Sequence, residues 1–316
     1  MMKLQTPQLP AWSTRCLTGF GLATLALQAA HAVENGSPIT PPGVYDFGAG
    51  LLPPPTEFGT VGVRAAATRA SDLRDNAGQR SAATPDLKVN SYSMAYIRMT
   101  EHTVGSARYG WGGVVPVLDM SMNLSVPTPA GPVGLAGKNQ AVGDVQLIPV
   151  ILQWVHNPGL FSNFQLAAQL PTGSYDKNRL INAGTNHATL SPSWAFSWIQ
   201  PGGFEVSSWF QLNFNQSNKD THYRSGTEYE HDFAVGQHFG PWTAGLGGYL
   251  YQQISDDVAP GLSNGNRSRA LALGPALSYF QPGSGLPLVS MHVYRETQVR
   301  NRTQGTSAAI RLAWSF

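Results

Sequence analysis

The densest group of side chains able to bind ions or move protons is Glu230-His231-Asp232, with Glu228 two residues earlier and His238 seven residues after His231. Carboxylate and imidazole groups are common ligands of transition metals. On a β-strand, however, successive side chains point to opposite faces, so His231 faces away from Glu230 and Asp232. The three side chains cannot converge on one ion, and we predict no metal site. Glu228, Glu230 and Asp232 do share a face, which is either a hydrated wall or part of a cation-selective or polar-contact site.

Nucleophilic catalysis would need a hydroxyl or thiol group beside a histidine. Two enzymes built as membrane barrels, the barrel phospholipase and the lipid A deacylase, use a His-x-Ser pair on one strand. None of the eight histidines here has serine two places further on, and the nearest arrangement is His187-Ala188-Thr189 with Ser191 beyond. The only cysteine, Cys16, lies in a segment that we predict to be removed. The sequence therefore predicts no catalytic residue, no cofactor and no enzymatic activity.

Residues 1–32 have the composition of a secretory signal peptide. Lys3 and Arg15 precede an apolar stretch from Cys16 to Leu27, and Ala30-His31-Ala32 is a small-x-small cleavage pattern before Val33. The whole chain has 20 Lys and Arg and 18 Asp and Glu, and the signal holds two of the bases and no acid. The exported body thus has no formal net charge. A neutral body argues against nucleic-acid binding, which needs a clustered basic surface.

From Glu57 onward, alternating apolar and polar residues predict β-strands. In the segment from Phe204, for example, Phe210, Leu212 and Phe214 alternate with Gln211 and Asn213. No segment after the signal approaches the roughly 18 apolar residues of a membrane helix. We predict twelve strands, over residues 57–65, 89–101, 108–126, 141–155, 161–171, 188–199, 204–215, 226–239, 242–254, 268–280, 287–299 and 305–316.

The connections between these strands alternate in length. The long ones are residues 66–88, 127–140, 172–187, 216–225, 255–267 and, more briefly, 300–304, and the short ones include 157–159, 201–203 and 240–241. Tight turns at one end and long loops at the other are typical of bacterial outer-membrane barrels. We therefore predict an all-β fold over residues 57–316, a transmembrane antiparallel up-and-down β-barrel of about twelve strands with short periplasmic turns and longer extracellular loops.

Two features of the sequence support a location in outer-membrane lipid: the aromatic residues near the ends of the predicted strands, and the last residues of the chain. Aromatic residues such as Trp154, Trp198 and Trp242 lie near strand ends, where a membrane barrel has its interfacial girdle. The chain ends in Phe316, with apolar residues at alternate places before it, which resembles the signal that the barrel-assembly machinery recognises. We predict that this machinery is a partner of the chain.

The polar face of each strand is predicted to line the barrel interior. The candidates are Asp119, Gln153, Glu205, Gln211, Asn213, Glu228, Glu230 and Asp232, with Trp209 as an aromatic contact point and Arg269, Arg295 and Arg311 as basic partners. Because these assignments follow from face parity alone, a β-bulge would reverse some of them.

Residues 33–56 are rich in proline and glycine and predict an irregular segment. Two hypotheses stay open for this segment. It is a disordered periplasmic leader, or it enters the barrel as a plug. In the second case Tyr45 and Phe47, together with Val44, Leu51 and Leu52, would meet an apolar substrate.

Two stretches resemble the outer-membrane protein family named for the meta-pathway of phenol degradation, which includes a sphingosine-responsive member. The first runs from Gly43 to Pro55 and ends in Leu52-Pro53-Pro54-Pro55; the second is Leu170-Pro171-Thr172-Gly173-Ser174-Tyr175-Asp176, followed by Asn182-Ala183-Gly184. Ser191-Pro192, Tyr223, Gly226 and Glu228 also fall at matching places. Thr56 departs from the family pattern, in which glycine follows the prolines. The resemblance implies an outer-membrane channel, often linked to uptake of aromatic or other apolar compounds.

The leading functional hypothesis is a channel for passive uptake of small apolar, including aromatic, solutes. Two alternatives stay open, a general porin for hydrophilic solutes and a structural or surface-binding barrel whose loops 66–88 and 172–187 engage a partner.

Overall fold

The structure, a computed structural model, describes residues 40–262 and 265–316. The predicted signal peptide, residues 1–32, and residues 33–39 of the following segment lie outside the described residues. Within the described part, thirteen β-strands make up the regular structure: β1 Thr60–Arg74, β2 Thr84–Val104, β3 Ala107–Thr128, β4 Gly131–Val142, β5 Gln146–Asn157, β6 Leu160–Gln169, β7 Thr189–Ile199, β8 Phe204–Asn215, β9 Glu228–Phe239, β10 Trp242–Gln253, β11 Arg269–Tyr279, β12 Leu288–Arg300 and β13 Arg302–Ser315.

Twelve of these strands close into one antiparallel barrel. The hydrogen-bonded order runs from β2 through β1 and β13, then down the chain to β5 and β3, and pairing of β2 with β3 closes the ring. The predicted twelve-stranded barrel is therefore confirmed. Among the described residues, no helix has the length and apolar character needed to cross a membrane.

The extra strand, β4, replaces a predicted loop over residues 127–140, so that prediction is wrong. Strand β3 continues to Thr128, and the chain turns back at Gly131, whose φ is +112°, into β4. Pro127 and Pro132 are register partners in this ladder. Prolines are usual in loops and rare in paired strands because they lack the N–H donor, which is why the sequence pattern indicates a loop here.

The two ends of the barrel differ in their connections. The end that carries Thr60 and Ser315, called the turn end here, has the connections 105–106, 158–159, 200–203, 240–241 and 280–287. The opposite end, the loop end, has 75–83, 170–188, 216–227 and 254–268. Two predicted loops are shorter than expected, because β1 and β2 extend into residues 66–88 and Asn301 alone separates β12 from β13.

Side chains alternate between an apolar outer face and a polar inner face. On β8, Phe204 and Phe214 are exposed on the outside, whereas Glu205 and Asn213 are buried inside. Period-two alternation with the apolar side chains outward is the pattern of a barrel surrounded by lipid. Exposed aromatic side chains gather at the turn end, namely Phe204, Phe239, Trp242, Phe280 and Phe316.

The part of β3 nearest the loop end reverses this pattern. Its apolar side chains Met120, Met122 and Leu124 are buried, and they pack against Ile181 and Ala183 of the 170–188 connection. The apolar face of this strand is therefore covered by protein and not by lipid.

Candidate functional site in the barrel interior

The inner face of strands β6 to β9 is mostly polar and buried. Its side chains are Asn163, Gln165, Ser191, Ser193, Ser197, Glu205, Ser207, Gln211, Asn213, Glu228, Glu230 and Asp232. They hydrogen-bond along and across the strands: Ser191 Oγ donates to Asn213 Oδ1 at 2.7 Å, and Asn213 Nδ2 donates to Glu228 Oε2 at 2.9 Å. Such a wall is built to be wetted or to bind polar backbone groups.

Residues 40–52, called the terminal segment here, lie against this wall inside the barrel. The Asp232 carboxylate accepts two backbone hydrogen bonds, from Gly43 N at 2.9 Å and from Tyr45 N at 3.0 Å. On β8, the Glu205 carboxylate accepts a hydrogen bond from Gly48 N at 2.6 Å. The wall therefore binds the backbone of the segment from both β8 and β9. Charge-assisted bonds of this kind are among the stronger ones in proteins.

The next residues of the terminal segment press closely on β6 and β7. Asn163 Nδ2 donates to the Ala49 carbonyl at 3.0 Å, and Gly50 N donates to Ser197 Oγ at 2.9 Å. A Cβ atom at Gly50 would lie 2.2 Å from Ser197 N. Only glycine allows the two backbones to approach this closely.

On the opposite wall, a buried Asp46 joins the segment to β12. Its Oδ2 lies 2.9 Å from His292 Nδ1, and its Oδ1 accepts a hydrogen bond from the Tyr294 hydroxyl. The His292 and Tyr294 rings stack with their centroids 4.2 Å apart. The terminal segment therefore bridges the barrel from β6–β9 to β12.

Aromatic contacts lie within this polar interior. Tyr45 stacks on Trp209 with centroids 4.7 Å apart and an interplanar angle of 24°. The Arg311 guanidinium lies 5.9 Å from the Tyr45 ring centroid and donates to the Val44 carbonyl at 3.2 Å. Phe47 is also buried, and it contacts Ala234 of β9.

Glu230 differs from its neighbours on β9. It is fully buried, and within the described residues neither of its carboxylate oxygens has a hydrogen-bond partner. The nearby cation Arg302 pairs instead with Glu296, at 3.0 Å, and lies over the Tyr251 ring. An ionised carboxylate is costly to bury without partners. A neutral side chain at position 230, or a cation bound beside Glu230, would therefore be more stable here than an isolated carboxylate.

Three of the predicted lining residues are misplaced. Asp119 lies on the outer face of β3, because the apolar face of that strand turns inward to pack against the 170–188 connection. Arg269 and Arg295 also lie on the outer face, since the buried inner positions of their strands are Ala270 and Ala272 on β11 and Tyr294 and Glu296 on β12.

The other predicted residues lie inside. The buried residues of the inner face include Gln153, Glu205, Trp209, Gln211, Asn213, Glu228, Glu230 and Asp232. In the terminal segment, Phe47 is buried and Tyr45 is partly buried against Trp209. Arg311 reaches the Val44 carbonyl. Any role of these residues in the passage of a solute stays a prediction.

Sequence reasoning missed Asp144, which organises the 170–188 connection. Its carboxylate accepts hydrogen bonds from Gly173 N, Thr185 N and Thr185 Oγ1, at 2.8, 2.8 and 2.7 Å. A Cβ atom at Gly184 would lie 2.6 Å from the carbonyl carbon of Gly173. Gly173 and Gly184, both in the second family-like stretch, are thus needed for backbone packing around one buried carboxylate.

A second carboxylate organises the loop end around Tyr223 and Gly226. Asp257 accepts hydrogen bonds from the Tyr223 hydroxyl and from Gly226 N, the latter at 2.8 Å. Burial raises the pKa of Asp257 to about 6 despite these bonds, which by themselves lower it. No signal in the sequence distinguishes Asp257 from the adjacent Asp256.

Within the described part of the chain, no group of three or more His, Cys, Asp or Glu side chains is arranged to hold a metal ion. The site that the structure does build is a polar interior in which the terminal segment binds to both walls and contributes an aromatic pair.

Residues 70–312 match the sequence model of the family described as "Putative MetA-pathway of phenol degradation". No curated protein matches the chain in sequence. Among solved structures, the chain is similar to an outer membrane channel from Pseudomonas putida F1, with 14% identity, a TM-score of 0.69, and coverage of 84% of this chain and 100% of that chain. At this identity the similarity concerns the fold.

Two further solved structures are less similar. The transport unit of the autotransporter AIDA-I from Escherichia coli has 13% identity and a TM-score of 0.48, covering 84% of this chain and 94% of that one. The β-domain of the Bordetella autotransporter BrkA has 13% identity and a TM-score of 0.44, covering 82% and 100%.

Proposed function

The chain belongs to the family described as "Putative MetA-pathway of phenol degradation", and from this premise we propose that it is an outer-membrane channel for passive uptake of small apolar solutes, aromatic compounds among them. The proposal includes export by the signal peptide over residues 1–32, with cleavage near Ala32 and Val33. It also includes recognition of the terminal Phe316 by the barrel-assembly machinery.

The observation that carries the proposal is the way the terminal segment fills the interior. Asp232, Glu205, Ser197 and Asn163 bind its backbone from one wall, and His292 binds Asp46 from the other. A segment with this many contacts narrows the path for water and dissolved ions. A selective path for a small solute fits this interior better than a wide pore for bulk diffusion.

The aromatic pair supports an apolar or aromatic solute. Tyr45 and Trp209 form a stacked surface in an otherwise polar interior, and aromatic faces favour planar apolar partners. Polar groups around the pair would orient such a solute, as in other small-molecule sites that combine apolar surface with few polar contacts. Passage by this route involves no covalent chemistry.

Uptake into liposomes that contain the purified full chain tests the proposal. We expect aromatic and other apolar compounds to enter faster than sugars of similar size, and Trp209→Ala to change the rate for aromatic compounds more than for aliphatic ones. Phe58→Ala, at a side chain 65% exposed, serves as the control and should leave uptake unchanged.

Each alternative gives a different result in the same assay. Rapid, unselective entry of sugars together with a large steady conductance would indicate a general porin and would overturn the proposal. Absence of uptake for every compound, with the barrel correctly folded, would also overturn it and would favour a structural or surface-binding role.

A further inference from the structure

The outer face of β12, β13, β1 and β2 carries three consecutive rows of side chains whose chemistry changes from apolar to basic toward the loop end. The register places outward residues of the four strands side by side. The lowest row is Met291, Ile310, Ala65 and Tyr92; the middle row is Val293, Ala308, Ala67 and Asn90; the upper row is Arg295, Thr306, Arg69 and Lys88.

The two lower rows, apolar apart from Asn90, form a groove in the outer wall. Its volume is about 730 Å³, and it continues across β11 to β10 at Leu277 and Ala244. The groove exists because the alanines of β1 and β13 leave space between larger neighbours such as Tyr92 and Val293, which are 53% and 48% exposed. On a lipid-facing wall, a groove of this kind accepts hydrocarbon chains.

The upper row is a basic boundary along the loop-end edge of the groove. Arg295 and Arg69 are two strands apart on either side of Thr306, and Lys88 is the register partner of Arg69. Two more arginines, Arg269 and Arg300, face each other on β11 and β12 beyond this row. Like charges directly opposite each other destabilise a sheet, and an anion bound between them would relieve this repulsion.

Acidic neighbours neutralise only part of this charge. Lys88 pairs with Asp86 at 3.1 Å on the exposed surface. Arg69 donates to Asn90 Oδ1 at 2.8 Å, and Asn90 in turn donates to Asp119, at 3.3 Å. The positive charges therefore exceed the negative ones above the groove. The bases are Arg69, Lys88, Arg269, Arg295 and Arg300, and the acids are Asp86 and Asp119.

We propose that this surface binds lipid A, the phosphorylated lipid of the outer leaflet, with acyl chains in the groove and phosphate at Arg295, Arg69 and Lys88. The loop end of such a barrel faces the cell exterior, so the basic row lies at the level of the outer-leaflet headgroups. Arginine is suited to phosphate because its planar guanidinium donates two parallel hydrogen bonds. Lipid A combines several acyl chains with phosphate, and the surface offers a complement to both.

The test uses the full chain purified in detergent, with hexa-acyl lipid A added and bound lipid counted by native mass spectrometry. Replacing the three bases with glutamine (R69Q/K88Q/R295Q) should weaken lipid A binding roughly tenfold to a hundredfold, because each base near a lipid surface contributes on the order of 1 kcal/mol. The matched control K177Q/K219Q/R224Q removes three exposed bases from the 170–188 and 216–227 connections, which do not border the groove, and should bind as the wild type does.

A second pair of variants tests the groove separately from the charge. Ala67→Phe with Ala308→Phe fills the groove and should weaken binding while all bases are kept, whereas Ala168→Phe, on the outer face of β6, should not. This pair decides the question if the triple variant fails to fold, as judged by its heat-dependent mobility on gels.

Binding measurements with several lipids and with inorganic phosphate identify the ligand. Dephosphorylated lipid A should bind weakly, and millimolar inorganic phosphate should not displace intact lipid A. Equal binding of phosphatidylglycerol and lipid A would overturn the proposal in favour of any anionic lipid. Unchanged lipid A binding by both the triple variant and the groove-filling variant would show that this face holds no specific lipid.

Discussion

Asp46 Oδ2 lies 2.9 Å from His292 Nδ1, and both side chains are at most 4% exposed. This buried pair joins the terminal segment to β12, on the wall opposite the one that binds its backbone. The segment is therefore attached on two sides, and its position depends on a few polar contacts whose removal can be measured.

Asp46→Ala should destabilise the protein by about 3 kcal/mol, because it leaves His292 and the Tyr294 hydroxyl buried without their partner. Amide hydrogen exchange at residues 43–50 should rise, since the segment loses its contact with β12. Thermal unfolding in detergent and exchange mass spectrometry give the two readouts. Asp256→Ala, which removes an exposed pair with Arg267, is the control, and an equal effect of both variants would contradict this role for Asp46.

Glu230 and Asp232 share a face of β9 and should respond oppositely to loss of charge. Asp232→Asn removes a carboxylate that accepts from Gly43 N and Tyr45 N, so it should lower stability by roughly 1–3 kcal/mol. Glu230→Gln removes a charge whose oxygens have no partner among the described residues, so it should leave stability unchanged or raise it. Denaturant unfolding compares the two variants, and a larger loss for Glu230→Gln would refute this reasoning.

Asp144→Ala should loosen the 170–188 connection without unfolding the barrel. The variant loses the acceptor for Gly173 N, Thr185 N and Thr185 Oγ1. We expect faster proteolysis within this connection and an almost unchanged melting temperature. Asp176→Ala is the matched control, because Asp176 Oδ1 accepts only from the neighbouring Asn178 N among the contacts described. Equal protease sensitivity of the two variants would show that Asp144 does not hold the loop.

The packing of Asp257 should depend on pH. Its pKa in the folded protein is raised to about 6 from the ordinary 3.8, with burial as the largest cause. The folded state therefore holds the proton more tightly, and the stabilising contribution is complete below about pH 4 and lost as the pH rises through 6. Hydrogen exchange around Gly226 should be slower at pH 4 than at pH 7 after correction for intrinsic rates.

Two variants check the assignment of this pH dependence to Asp257. Asp257→Asn should abolish it. Tyr223→Phe removes a hydroxyl that donates to the carboxylate, so it should raise the pKa of Asp257 further and move the transition to higher pH. If the pH dependence persists in Asp257→Asn, another group is responsible.

The sequence by itself determined the strands and much of their orientation. Alternation with period two predicts β8 over residues 204–215, which are the bounds in the structure, and it assigns Glu205, Gln211 and Asn213 to the buried inner face. These predictions succeed because β8 has lipid-facing positions on one side and polar interior on the other. The polarity of each side chain therefore indicates whether that residue faces the lipid or the interior.

Tertiary structure decided what covers each face. The apolar residues of β3 beyond Leu118 are covered by Ile181 and Ala183, contacts between segments far apart in the chain, and so Asp119 points outward against the prediction. Arg269 and Arg295 lie on the outer wall because polar residues also suit the headgroup level of a membrane. The interior position of residues 40–52 depends on Asp232, Glu205 and His292, which come together only when the barrel closes. Local alternation distinguishes two faces, but only the closed barrel and its long-range contacts determine whether each one meets lipid, water or protein.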